Sequence, residues 1–181
     1  TKQKIQHSIP VTQTVQTFFP LTAMRVETRL GFMKIAIGSD HGGYDLKEGL
    51  KEYLLGMGVT YVDVGTDSGT VSVDYPDYAE KVGRLVVSGD CERGIVVCGT
   101  GIGISIAANK IPGIRAALVH DLTTAGLASL HNRANVLALG GRLLAPALAS
   151  ELVKVWLETD FEPRHLPRLE KISRIEKKPE S

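Results

Sequence analysis

From Met33 onward, solid apolar runs alternate with stretches in which apolar residues recur every three or four positions. Runs such as Ile35-Ala36-Ile37, Ile95-Val96-Val97 and Val136-Leu137-Ala138-Leu139 show no polar alternation, as expected of strands covered on both faces. The pattern predicts strands near 34–38, 59–64, 93–98, 115–119 and 135–139. It predicts helices near 43–56, 76–88, a short one reaching 110, one ending near 131, and one over 145–158. Leu46, Leu50, Tyr53 and Leu54 give the first helix its apolar stripe, and Gly56 and Gly58 stand where its end is expected. Pro76 suits the start of the second. Asp121 or Thr123 can cap the helix that follows the fourth strand. A loop fills 65–75, and 163–181 reads as a charged, partly helical tail. Strands alternating with helices predict an α/β fold, a three-layer α/β/α sandwich around a parallel sheet of about five strands.

Residues 1–32 break the pattern. Thr1 to Phe19 is rich in Thr, Gln and Val without a helical period. The segment reads as an extension outside the fold, either upstream read-through or a cloning remnant, with residues 33–181 as one domain. A targeting peptide is the alternative, since Lys2, Lys4, Arg25 and Arg29 face a single acid, Glu27. The 181-residue chain is 43% hydrophobic and 23% charged, ordinary for a globular protein with a real core. A net charge of +1 offers no electrostatic case for nucleic acid or a membrane surface. No apolar run approaches the roughly 20 residues of a bilayer span. Two cysteines, Cys91 and Cys98, are too few for a disulfide scaffold and point to thiol chemistry in a reducing cytoplasm.

One of those thiols is well placed. Cys98-Gly99-Thr100-Gly101-Ile102-Gly103 joins the third strand to a short helix. Free backbone N–H groups at such a turn favour negative charge, the condition under which a thiol serves as base or nucleophile. Glycines let the backbone approach a small anion. A small buried hydrophobe is the competing reading of Cys98. A phosphate P-loop is excluded because Ile104 stands where Lys-Ser/Thr should begin. A dinucleotide fingerprint fails at the same position, and a thiol phosphatase loop lacks its arginine.

Ligands of parallel α/β sheets bind at the carboxyl ends of the strands. Asp40 and His41 follow strand one, Cys98 to Gly103 strand three, His120 and Asp121 strand four, and Gly140-Gly141-Arg142 strand five. Asp40 can accept from a hydroxyl or cap a helix, and His41 can donate to an anion or occupy a turn. His131-Asn132 ends a helix, where a histidine also suits the dipole. Tyr75 can offer a hydroxyl or fill a loop. Arg164 and Arg168 share a face if their segment is helical, and paired guanidiniums suit a phosphate; a solvated charged tail is the other reading. No His/Cys/carboxylate set has metal-ligand spacing.

Taken in order, Gly38-Ser39-Asp40-His41, Asp74-Tyr75-Pro76, the run Cys98 to Lys110, His131-Asn132 with Asn135-Val136, and Arg164-His165 with Arg168 resemble the ribose-5-phosphate isomerase B family, which includes galactose- and allose-6-phosphate isomerases. The resemblance covers 33 to about 176 and implies a Rossmann-like parallel sheet. It implies an aldose–ketose isomerase interconverting D-ribose 5-phosphate and D-ribulose 5-phosphate through an enediolate, with no cofactor and no metal; the alternatives are a six-carbon sugar phosphate as substrate, or a phosphosugar-binding protein that lacks the reaction. It places the base at Cys98, with Thr100 beside it, and the ring-opening acid/base at His131 with Asn132. Asp40, Thr100 and Tyr75 would meet the sugar. Amides of Gly99, Gly101, Ile102 and Gly103 would cradle the enediolate oxygens. His41, Arg142, Arg164 and Arg168 would clamp the phosphate. Family members without the cysteine carry glutamate at the position of Ile104, so this chain resembles the cysteine-type branch. Two glycines usually open the arginine segment; Glu162-Pro163 stand here, and Pro167 precedes Arg168. The resemblance further implies a homodimer or homotetramer with sites shared between subunits.

Overall fold

The computed structural model describes Leu30 and residues 32–177. Its strands are β1 (Lys34–Ser39), β2 (Thr60–Asp63), β3 (Arg93–Cys98), β4 (Ala116–Leu118) and β5 (Val136–Gly140). They form one parallel sheet in the order β2-β1-β3-β5-β4. The helices are α1 (Tyr44–Gly56), α2 (Tyr75–Val87), α3 (Ile102–Ala108), α4 (Leu122–Leu130), α5 (Pro146–Glu158) and α6 (Leu166–Glu176), with 3₁₀ turns at His41–Gly43 and Pro163–His165. This is the three-layer α/β/α, Rossmann-like arrangement that the alternation predicts.

Successive strand residues point to opposite faces, and the core divides accordingly. Ile35, Ile37, Ile95, Val97, Leu137 and Leu139 face one layer, where Leu50, Leu54, Leu152 and Trp156 of α1 and α5 meet them. Ala36, Val96, Cys98, Val136 and Ala138 face the other, against Ala79 and Val82 of α2 and Ile104 and Ala108 of α3. Each large aliphatic side chain so buried contributes about 1.5–3 kcal/mol. Trp156 is fully buried, with Nε1 donating to the Ala134 carbonyl at 3.1 Å.

Capping follows local chemistry. Asp121, not Thr123, caps α4, its carboxylate accepting from the Thr124 N–H at 2.8 Å. Helix α1 ends on Met57, and Gly58 takes the left-handed φ of 75° that closes the turn. Leu30 packs into the first core layer, and Met33 N donates to its carbonyl. The rest of the extension expected over 1–32, Phe32 apart, lies outside the described residues. Among the described residues, no helix is long and apolar enough to cross a membrane.

Candidate active site

The chain leaves β1 toward β2 on one side and reaches β3 on the other. The crevice outside the carboxyl ends of β1 and β3 is therefore the topological switch point where α/β sheets hold ligands. Register places Ser39 beside Val97, and Asp40 N donates to the Val97 carbonyl. Asp40 and Cys98 thus end neighbouring strands. Both are nearly buried, at 6% and 4% exposure.

Cys98 lies on the same strand face as Val96, toward α3. The chain then doubles back tightly, so that Gly101 N donates to Cys98 Sγ at 3.1 Å. Gly101 holds φ at 79°, and a side chain there would meet Leu118 and the Leu139 backbone within 3.0 Å. Only glycine fits this turn without strain. Cys98 is therefore part of the core cluster and, at the same time, an acceptor of a backbone N–H at a sheet edge. Cys91 lies at the opposite end, just before β3, where burial pushes its thiol above the usual range.

The other expected residues gather around this turn. The Asp40 carboxylate accepts from Gly43 N at 3.1 Å and caps the 3₁₀ turn. His41 Nδ1 accepts from Val73 N at 3.2 Å, which puts the proton of its neutral form on Nε2. Thr100 is exposed, its Oγ1 accepting from Ile102 N. Ile102 is 53% exposed. The Tyr75 ring lies across Gly103, where a methyl would come within 2.6 Å of Cζ. Arg142 N donates to the Gly99 carbonyl at 3.0 Å, and its exposed guanidinium leans over Gly42 and Gly99.

His131, Asn132, Arg164 and Arg168 lie elsewhere. His131 follows α4 and precedes β5, whose first residue pairs with Gly94 at the start of β3. Cys98 pairs with Gly140 at the far end. Four residues of strand rise, about 13 Å, separate those two levels. One chain therefore carries two clusters at opposite edges of its sheet. Asn132 is exposed and His131 partly buried.

The tail supplies the rest of the second cluster. Glu162 N donates to the Leu130 carbonyl, which docks the segment against the end of α4. Arg164 and Arg168 do not share one helix: Pro163 opens a 3₁₀ turn holding Arg164, and α6 begins afresh at Leu166 with Arg168 inside it. Arg164 Nε pairs with Glu162 at 2.6 Å, and Arg168 Nη1 reaches His165 Nδ1 at 3.1 Å. The Arg164 hydrogen bond, outweighing modest desolvation, holds the Glu162 carboxyl below its ordinary range. His165 belongs to the set without having been singled out: its ring lies 4.3 Å, centre to centre, from that of His131. Its signals in the sequence were its place in the Arg164-His165 motif, to which no role was given, and the i, i+3 spacing of Glu162, His165 and Arg168.

Residues 35–172 match the family described as ribose/galactose isomerase. The chain is 52% identical in sequence to a ribose-5-phosphate isomerase B structure from Clostridium thermocellum, with a TM-score of 0.78, covering 80% of this chain and 98% of that one. It is 44% identical to the Escherichia coli ribose-5-phosphate isomerase B over 80% of this chain and 97% of that protein. It is 42% identical to a D-erythrulose-4-phosphate isomerase of Pectobacterium atrosepticum over 80% and 95%. Fold, thiol-bearing turn and these relatives define an enzyme of the sugar-phosphate isomerase class. Within that class, the chain belongs to the ribose-5-phosphate isomerase B family.

Proposed function

We propose that this enzyme interconverts D-ribose 5-phosphate and D-ribulose 5-phosphate through an enediolate, with Cys98 as the base. The observation that carries this reading is the Cys98 sulfur at the β1/β3 switch point, accepting the Gly101 amide beside Asp40. As thiolate, Cys98 removes the proton from C2 of the open-chain aldose and returns it to C1. The proton on O2 passes to O1 within the site, so no redox partner is needed. Amides of Gly99 and Gly103 meet the charge that develops on oxygen, those of Gly101 and Ile102 being given to Cys98 Sγ and Thr100 Oγ1. Asp40, Thr100 and Tyr75 hold sugar hydroxyls, and His41 with Arg142 faces the anion.

His131, with Asn132, opens the sugar ring, and Arg164 and Arg168 complete the phosphate clamp. Since the His131 cluster lies at the other edge of the sheet, each complete site takes Cys98 from one copy and His131 from another. This reading makes the enzyme a homodimer, or a homotetramer built from such pairs. Exposed Ile102, Ile106 and Leu143 near the thiol end, and Leu166 near the histidine end, supply apolar surface for that contact. A reducing cytoplasm suits a catalytic thiol.

Two measurements test the reading. Cys98→Ala should lower turnover by at least about 10²-fold with the fold intact; undiminished activity refutes the base. Mixing subunits of Cys98→Ala and His131→Ala should restore about a quarter of wild-type activity, the share that random pairing of two-fold partners gives. Mixing that restores nothing places both groups in one copy. A relative named for a four-carbon substrate, at nearly the same identity, favours a broader panel as well. Comparing kcat/KM on four-, five- and six-carbon sugar phosphates, with a chelator present, settles substrate length and metal independence together.

A further inference from the structure

We infer that His165 is a positioning residue for His131, one that ties the ring-opening imidazole to the guanidinium of Arg168. This rests on the role proposed above for His131.

His165 closes the 3₁₀ turn after Glu162 and is 4% exposed. Its ring packs against His131 with centroids 4.3 Å apart and planes tilted by 41°. Arg168 Nη1 lies 3.1 Å from Nδ1. A guanidinium has donors only, so Nδ1 must be the acceptor, and the proton of the neutral ring sits on Nε2. Arg168 thus selects one tautomer of His165.

The Nε2–H so produced is buried and has no hydrogen-bond partner among the described residues. Glu162 Oε2 lies 3.5 Å from it, and one ligand atom each from Glu162, His165 and His131 falls within a common 4.8 Å. A buried donor left unpaired is costly, so this N–H has a strong drive toward Glu162 and His131. Burial, then His131, Arg164 and Arg168, depress the affinity of His165 for a second proton, against the opposing pull of Glu162. The neighbour of His131 is therefore a neutral ring, which does not repel His131 when the latter takes a proton from the sugar. Four N–H groups of Arg168 remain for a phosphate. Anchoring the substrate's phosphate would then steady the His165–His131 pair through one side chain.

The test uses the intact enzyme and two readouts. In protein carrying ¹⁵N-labelled histidine, NMR should show His165 as the Nε2–H tautomer near neutral pH; an Nδ1–H tautomer overturns the inference whatever the activity. The second readout is His165→Phe, which preserves the ring packing and removes both nitrogens. Ribulose 5-phosphate is open-chain because its O5 is esterified, so uptake of solvent deuterium into it reports enolisation without the ring step. His165→Phe should lower net conversion to the cyclic aldose about tenfold or more, with KM changed far less and deuterium uptake largely kept. His165→Gln, which restores an N–H near the Nε2 position, should recover much of the loss. Parallel loss of conversion and uptake, or no loss of either, overturns the positioning role. If His131→Ala itself loses both together, the ring-opening role of His131 has failed instead, and the tautomer result still decides the Arg168–His165 link.

Discussion

Gly101→Ala separates two physical effects at the turn that carries Cys98. The first is conformational: φ is 79°, where an L-residue is disfavoured by about 1–2 kcal/mol. The second is steric. The new methyl would sit 2.6 Å from Leu118 Cδ1 and 2.9 Å from the Leu139 carbonyl carbon. The leucine tip can rotate away, whereas the Leu139 backbone belongs to β5, held between β3 and β4. Overpacking of this kind costs about 1–3 kcal/mol, for a total near 2–5 kcal/mol. Gly58→Ala is the internal control, since its φ is 75° and nothing lies within 4 Å of the added methyl. It should cost only the conformational part. Urea unfolding of both variants measures the difference directly. The shift that relieves the Leu139 clash also moves the Gly101 amide off Cys98 Sγ, so the rate at which Cys98 reacts with iodoacetamide should change in Gly101→Ala and not in Gly58→Ala. Equal destabilisation by the two substitutions, with thiol reactivity unaltered, would refute the account of the turn.

Trp156→Ala should destabilise by about 3–5 kcal/mol in the same unfolding assay, because the indole is fully buried and holds the Ala134 carbonyl. Lys47 is 1% exposed and pairs with Asp63 at 2.6 Å and with Glu48. Lys47→Met should lower stability at neutral pH and shrink that deficit in acid, once Asp63 is protonated; a deficit unchanged with pH removes the electrostatic explanation. Burial pushes Asp63 up, but hydrogen bonds from Lys47 and Lys51 outweigh it and hold the carboxyl below its ordinary range. His165 is likewise depressed, by burial first. In both cases the unfolded chain binds the proton more readily, so stability present above the unfolded-state value is lost as pH falls. The thermal midpoint should therefore fall from about pH 6.5 downward through His165, and further below about pH 4 through Asp63; a midpoint that rises on acidification contradicts these signs.

The strands were legible because burial on both faces leaves uninterrupted apolar runs, and the observed ends differ from the pattern by a residue or two. Gly58 and Asp121 announced helix ends through their chemistry. The separation of Cys98 from His131 was legible in principle: Cys98 ends a strand, His131 follows a helix, and in an alternating parallel fold those positions lie at opposite edges. A run of motifs read in order conceals this. Arg164 and Arg168 suggested one helical face, but Pro163 and Pro167 divide the segment between a turn and a helix. The His165–His131 contact joins residues 34 positions apart and depends on how the tail docks on Leu130. Lys47 was also out of reach, since a lysine in an amphipathic helix reads as solvent-facing until the tertiary structure puts Asp63 opposite it.

Bearing one unlike cluster at each edge has a consequence for assembly. Under the shared-site reading, a single two-fold rotation joins thiol edge to histidine edge twice over, and nothing is left unmatched. Translation of one copy onto the next would satisfy one edge and present another, inviting endless growth into fibres. The strand length of the sheet then acts as a ruler that lets association close upon itself after one partner.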